Sequence, residues 1–188
     1  MVACIVALSA ANAGGVLLRH EGHDLWNLVP LTDVNHEQSV PTWFAALLLA
    51  AVAVLLVVVS WDPPEGTTRR RWLFLAVLAA ALTADDVAAY HESWVEPVRD
   101  QLDHPSGFLL QAWVIPATVL VAVVGLSQLR MLRRLPRDTA RGLVLGTALF
   151  VLGAVVLEMV GAKYGDDWGT NTKRYDAIVA VEEAAEML

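Results

Sequence analysis

Two adjacent acids, Asp85 and Asp86, follow an apolar segment that would otherwise read as part of a membrane helix. The uncharged run before them, residues 72–84, would form a helix of roughly 20 Å, whereas the hydrocarbon core of a bilayer is roughly 30 Å thick. A helix that crosses the bilayer here must therefore continue through both acids toward His91 and Glu92. A charged side chain below the membrane surface costs free energy and usually has a function, so the two acids predict a functional site on this helix.

Further carboxylates are expected at a similar depth on two later helices. Glu158 ends the apolar part of one helix, and Glu182 and Glu186 are i, i+4 neighbours on the last one, with Glu183 beside them. Carboxylates gathered in a low dielectric repel one another unless a proton, a basic partner or a cation lies among them. We expect a cation, and the predicted metal ligands are Asp85, Asp86, His91, Glu92, Glu158, Glu182, Glu183 and Glu186.

The predicted cofactor is a divalent metal ion, because carboxylate and imidazole groups are ligands for such ions. Iron, zinc and copper all remain open. The ligand set resembles in kind the carboxylate and histidine sites of di-iron four-helix bundles, but the sequence lacks their Glu-x-x-His repeat. The same residues would suit a membrane metalloenzyme or a metal-handling protein, so enzymatic activity stays undecided.

The distribution of apolar residues predicts the fold class. Hydrophobic residues make up 56% of the 188, mean hydropathy is +0.52, and the apolar residues fall in separate blocks divided by polar segments. This pattern is typical of a multi-pass membrane protein and disfavours a soluble bundle, and the single cysteine, Cys4, excludes an intrachain disulfide. We predict an all-α integral membrane bundle of five to six helices in one domain, residues 1–188, with approximate helices at 1–18, 43–61, 72–92, 108–130, 139–161 and 175–188.

Both terminal segments allow two interpretations. Residues 1–18 suit a first span, although Ala-Asn-Ala at 11–13 resembles a signal-peptide cleavage site; the lack of a basic region before it favours the span. Residues 175–188 are shorter than the roughly 20 residues that a span requires. They predict either a short interfacial helix or the end of an ordered fragment of a longer protein.

Arginine is concentrated beside two connections, at 62–71 and 130–141, which together hold eight arginines and three acids. Short arginine-rich loops stay on the cytoplasmic side, so we predict a bacterial cytoplasmic (inner) membrane protein whose acidic loops and site face the periplasmic or external side. The lipid bilayer is the expected partner of the arginines, which contact headgroups, and nucleic-acid binding is not expected.

Two motifs of the chain resemble those of a family of uncharacterised bacterial multi-pass membrane proteins. That family carries Ser-Leu-Asp-Glu-x-x-x-x-His-Glu on one helix and Glu-Glu-x-x-Glu-Met on a later one. Residues 83–92 read Thr-Ala-Asp-Asp-Val-Ala-Ala-Tyr-His-Glu, with Asp86 in place of the family's glutamate, and residues 182–187 read Glu-Glu-Ala-Ala-Glu-Met. The family has no established activity to carry over, so the resemblance implies the architecture and the site location.

Two other functions fit the same residues. Intramembrane acids are natural in ion or proton translocation, although Gln128 is the one evident polar residue toward the inner end of the fourth predicted helix. An accessory or scaffold subunit of a larger respiratory or photosynthetic complex would instead use the acidic face to dock other membrane subunits.

The charge asymmetry gives a direct test of orientation. In a Cys4→Ser background, a membrane-impermeant thiol reagent added outside the cell should label Asp103→Cys and leave Arg134→Cys unlabelled. Labelling of Arg134→Cys but not of Asp103→Cys would show that the orientation is the reverse of the predicted one.

Overall fold

The computed structural model is all-helical and describes residues 1–23, 28–36 and 39–188. The predicted all-α fold class is confirmed. A π-helical turn, Leu152–Leu157, makes α7 and α8 one long helix, and 3-10 turns lie at Tyr90–Trp94 and Gly107–Leu109. The α-helices are α1 (Val2–His20), α2 (Leu28–Thr32), α3 (Val40–Trp61), α4 (Arg69–Ala88), α5 (Val95–Gln101), α6 (Val114–Leu132), α7 (Arg137–Val151), α8 (Glu158–Trp168) and α9 (Lys173–Glu186).

Within the described residues, four helical segments are long and apolar enough to cross a membrane: α1, α3, α6 and the long helix Arg137–Trp168. Helix α4 reaches this standard only together with residues 90–101, which follow it after a bend of 81°. Large apolar side chains stand exposed on the spanning helices, including Leu126 at 69% and Leu47 at 63%. Exposed apolar surface of this extent is unfavourable in water and favourable in lipid, so these helices are compatible with membrane insertion.

The two arginine-rich connections meet at one end of the bundle. Trp72 of α4 packs against Met131 in the last turn of α6 and against Leu135 just after that helix. The Nη1 atom of Arg134 donates a hydrogen bond of 3.0 Å to the backbone oxygen of Gly66. Both connections therefore lie at the same end of the bundle, as the charge pattern requires of segments on one side of a membrane.

Polar contacts at the opposite end fix the start of α9 beside the end of α1. Asp176 of α9 accepts hydrogen bonds from Arg19 and from His20, the latter at 2.8 Å. The hydroxyl of Thr172 accepts from the backbone N–H of Tyr175 at 3.1 Å and so caps the first turn of α9. These contacts determine where α9 enters the bundle.

The predicted helix 72–92 is wrong at its end, because α4 stops at Ala88. Ala89 adopts the left-handed conformation, with φ 47° and ψ 40°, and the chain then turns away. Asp85 stabilises this bend by accepting a hydrogen bond from the backbone N–H of His91 at 2.8 Å. The two acids still lie within the last turn of the helix, but Asp85 and Glu92 do not share one helix face.

Two other predicted boundaries also differ. Helix α6 begins at Val114 instead of residue 108, which places Pro116 in the first turn, where proline's missing N–H costs no helical hydrogen bond. The helix predicted at 139–161 runs on to Trp168, because the polar residues after Gly161 continue the helix instead of leaving it. The last helix spans Lys173–Glu186 and has 14 residues.

The left-handed Ala89 predicts that glycine is better than alanine at this position. Glycine adopts this conformation without the Cβ clash, so Ala89→Gly should raise the free energy of unfolding in detergent by about 1 kcal/mol. The matched control is Ala88→Gly, one residue earlier and still helical. That variant should lower the same quantity by about 1 kcal/mol, and an equal loss in both variants would contradict this account of the turn.

Candidate metal centre

A cavity of about 290 Å³ lies where the end of α4, the turn after it, the segment before α6, the end of the long helix and α9 come together. Polar residues line much of it, and among the described residues no lysine or arginine contributes to the lining. Six of the eight predicted metal ligands lie in its wall: Asp86, His91, Glu92, Glu158, Glu182 and Glu183.

Asp85 lies behind the wall and holds His91. One of its oxygens accepts the backbone N–H of His91, and the other lies 2.9 Å from the ring Nδ1 of the same residue. A carboxylate can only accept, so Nδ1 carries the proton, and in the neutral form of the ring the lone pair is therefore on Nε2. This is the arrangement in which a carboxylate orients a histidine ligand.

Trp113 holds the imidazole from another direction. Its ring lies 4.7 Å from that of His91, centroid to centroid, with the two planes tilted by 51°. Trp113 immediately precedes α6 and also lines the cavity. The histidine is therefore fixed by a hydrogen-bonded acid at the end of α4 and by an aromatic ring that immediately precedes α6.

Asp86 places an unpaired oxygen in the same region. Its Oδ2 atom is buried and has no hydrogen-bond partner in the part of the chain that the structure describes. A buried carboxylate oxygen without a partner costs free energy, because it has lost its water and gained nothing in exchange. A proton or a cation at this atom would remove that cost.

The π-helical turn determines which face of the long helix meets α9. In a π-turn, residues i and i+5 lie on one face, so Gly153 and Glu158 both point toward α9. A side chain at Gly153 would clash, since a Cβ there would lie 2.6 Å from Cγ of Glu186 and 2.9 Å from the backbone oxygen of Glu182. A Cβ at Gly161, eight residues further on, would lie 3.7 Å from Oε2 of Glu182, which is an ordinary contact distance.

Glutamates from the two helices meet in this close contact. Glu182 is buried and lies near Glu158, and after burial the neighbouring Glu158 carboxyl is the next cause that raises the pKa of Glu182. Glu183 interacts electrostatically with Asp86 and with Glu158. Helix α9 is too short to be one of the spanning segments. Burial is the main cause of the raised pKa values of its glutamates Glu182, Glu183 and Glu186.

Two predicted ligands do not line the cavity. Both oxygens of Asp85 are occupied by His91, and Glu186 lies with its side chain against Gly153. Glu92 lies in the wall but is exposed. The sequence analysis missed Tyr175, which lines the cavity from α9. Its spacing of i, i+7 to Glu182 puts both residues on one helix face and could have revealed it.

A second group of ligand atoms lies outside the cavity. One oxygen each of Glu96 and Asp100 and one ring nitrogen of His104 lie within 4.8 Å of one another, at α5 and the turn after it. All three residues are exposed, and the sequence analysis did not predict this group. Within the described residues, this is the group whose ligand atoms lie close enough together to surround one ion. The ligand atoms around the cavity are more widely spaced.

A family model described as a domain of unknown function (DUF8692) matches residues 1–188 of the chain. No curated protein and no solved structure matches it.

The contact at Gly153 predicts a position-specific effect of added volume. Gly153→Ala should push α9 away and lower the free energy of unfolding by about 1–3 kcal/mol, because the atoms it meets are part of a packed helix. Gly146→Ala on the same helix meets nothing within 4 Å, so it should raise that free energy by up to about 1 kcal/mol through helix propensity. Equal shifts for both variants, measured by denaturant unfolding in detergent, would contradict the close contact.

Proposed function

We propose that this chain, which belongs to the DUF8692 family of domains of unknown function, is an integral membrane protein that binds divalent metal in the cavity described above. On the charge pattern of the sequence, we place it in a bacterial cytoplasmic membrane with the cavity toward the external side. Both a metalloenzyme and a metal-handling protein are compatible with this proposal.

The meeting of acids from separate helices around one cavity supports metal binding most strongly. Asp86 comes from α4, Glu158 from the long helix, and Glu182 and Glu183 from α9. Folding brings these like charges together, and no lysine or arginine among the described lining residues offsets them. A divalent cation would neutralise two charges at once and satisfy the unpaired oxygen of Asp86.

The histidine arrangement adds a specific ligand. Nε2 of His91 is the proposed ligand atom, and Asp85 is a positioning residue that fixes the tautomer through Nδ1. Imidazole together with carboxylates suits iron and zinc, and copper also accepts imidazole. We therefore propose the same three metals that the sequence suggests.

The cavity is a stronger candidate than the exposed group at Glu96, Asp100 and His104. Exposed carboxylates are solvated, and the attraction between charges in water is small, so an ion gains little there. The cavity carboxylates are largely removed from water and repel one another more strongly. Neutralising them should therefore release more free energy.

Proton binding is the second candidate function, and the burial of Glu182 beside Glu158, which raises the pKa of Glu182, favours it. A carboxyl group with a raised pKa holds a proton at a buried site, as a proton carrier would. A translocation path would have to continue toward the arginine end, where Gln128 is buried and its Oε1 has no partner within the described residues. Metal binding would displace a proton from Glu182, because a ligating carboxylate must be deprotonated.

Equilibrium dialysis of the purified full chain against Fe²⁺, Zn²⁺ and Cu²⁺, followed by elemental analysis, tests the proposal. The wild type should retain metal. His91→Ala should abolish most of that binding, and Asp85→Asn should weaken it by about 10- to 100-fold, the usual effect of removing the partner of a ligating histidine.

His104→Ala is the matched control, because it removes the histidine of the exposed group and leaves the cavity intact. It should bind metal as the wild type does. Loss of metal in His104→Ala with retention in His91→Ala would place the metal at the exposed group. If the wild type retains none of the three ions, the proposal is overturned and proton binding becomes the better-supported hypothesis.

A further inference from the structure

We propose that the two arginine-rich connections, the first at 62–71 and the second at 130–141, form one joint site for the phosphate headgroup of an anionic phospholipid. The eight arginines of this surface, here called the arginine patch, are Arg69, Arg70, Arg71, Arg130, Arg133, Arg134, Arg137 and Arg141. The patch lies at the start of α4, whose 20 residues separate it by about 30 Å from the cavity. The proposal therefore goes beyond metal binding and does not depend on it.

One apolar cluster holds the two halves of the patch together. Trp72, which directly follows Arg71, is 3% exposed and packs against Met131 and Leu135 of the second connection. Its ring nitrogen donates a hydrogen bond of 3.0 Å to the hydroxyl of Thr67, which fixes the turn before α4. The arginines next to these residues in both connections are therefore presented at one place.

A polar contact joins the same two segments. Nη1 of Arg134 donates a hydrogen bond of 3.0 Å to the backbone oxygen of Gly66. Gly66 has a positive φ of 77°, and a Cβ there would lie 3.0 Å from Cδ of Arg134. Glycine thus permits the turn and leaves room for the arginine side chain across it. Arg134 acts as a positioning residue that keeps the two connections together.

The positive charge of the patch is almost entirely without a partner inside the protein. In the part of the chain that the structure describes, one of the eight arginines forms an ion pair, Arg141 with Asp138 at 4.0 Å, and both of these side chains are exposed. At the opposite end of the bundle, by contrast, Arg19, Arg99 and Lys163 each pair with a carboxylate. An anion from outside the chain would relieve the repulsion among the arginines.

The surface beside the patch fits the acyl chains of a lipid. Trp61, which ends α3 just before the first connection, is 70% exposed, and Leu126, one helical turn before Arg130, is 69% exposed. Guanidinium groups bind phosphate oxygens through paired N–H groups, and arginine clusters directly beside spanning helices are typical of anionic lipid sites. A phospholipid matches both surfaces, whereas inorganic phosphate matches the arginines alone.

Native mass spectrometry of the purified full chain, titrated in detergent with phosphatidylglycerol or with phosphatidylcholine of the same acyl chains, tests the proposal. The wild type should bind its first phosphatidylglycerol at least about 10-fold more tightly than phosphatidylcholine. The double variants Arg69→Gln, Arg70→Gln and Arg133→Gln, Arg137→Gln should each weaken that first binding by about 30-fold, because an arginine near a membrane surface contributes about 5-fold. All four side chains are exposed, so both variants should fold.

Lys173→Gln, Arg174→Gln is the matched control, because it removes two exposed basic residues at the opposite end of the bundle. It should bind phosphatidylglycerol as the wild type does, and an equal loss in this control would overturn the proposal. Equal affinity of the wild type for the two lipids would also overturn it.

Two further outcomes separate the alternatives. If the wild type binds two phosphatidylglycerols tightly and each arginine variant loses one and keeps the other, the connections form separate sites and the joint site is wrong. If an equal concentration of inorganic phosphate displaces the lipid, the acyl chains contribute nothing and the assignment to a phospholipid is overturned. Retention of the lipid in the presence of phosphate supports the proposal.

Discussion

The structure depends on one electrostatic constraint: acids from three parts of the chain are brought to a single cavity, and among the described lining residues no basic side chain balances them. Gathering Asp86, Glu158 and the α9 glutamates away from water opposes folding unless protons or cations neutralise them. Burial raises the pKa of Glu182, so protonation is one way in which the site is neutralised. The proposed cation is the other, because its charge and its preference for carboxylate ligands would meet the same constraint.

Backbone geometry on either side of the cavity makes this gathering possible. On one side, α4 ends in a left-handed residue, which turns His91 back onto Asp85. On the other, the π-turn and Gly153 allow α9 to approach closely enough for Glu182 to reach Glu158. Irregular backbone of both kinds is frequent at functional sites, where the cost of the distortion is offset by the position it gives to a side chain.

The sequence was sufficient to predict the all-helical class and the approximate place of most long helices, because apolar blocks of that length leave few alternatives. It could not predict the break after Ala88, since residues 83–92 have no glycine or proline and the turn depends on the contact of Asp85 with His91. For the same reason it treated Asp85 as a possible ligand. Metal binding by the predicted ligands stays a prediction. The exposed group of Glu96, Asp100 and His104 was not predicted, because nothing in the sequence distinguishes these residues from ordinary loop residues.

The most direct test of metal binding is X-ray diffraction from crystals of the metal-soaked protein, recorded at the absorption edge of the added ion. The account predicts anomalous density in the cavity, about 2.0–2.6 Å from carboxylate oxygens of Glu158, Glu182 or Glu183 and from Nε2 of His91. Anomalous density confined to Glu96, Asp100 and His104, or a cavity that stays without density after soaking, would contradict it.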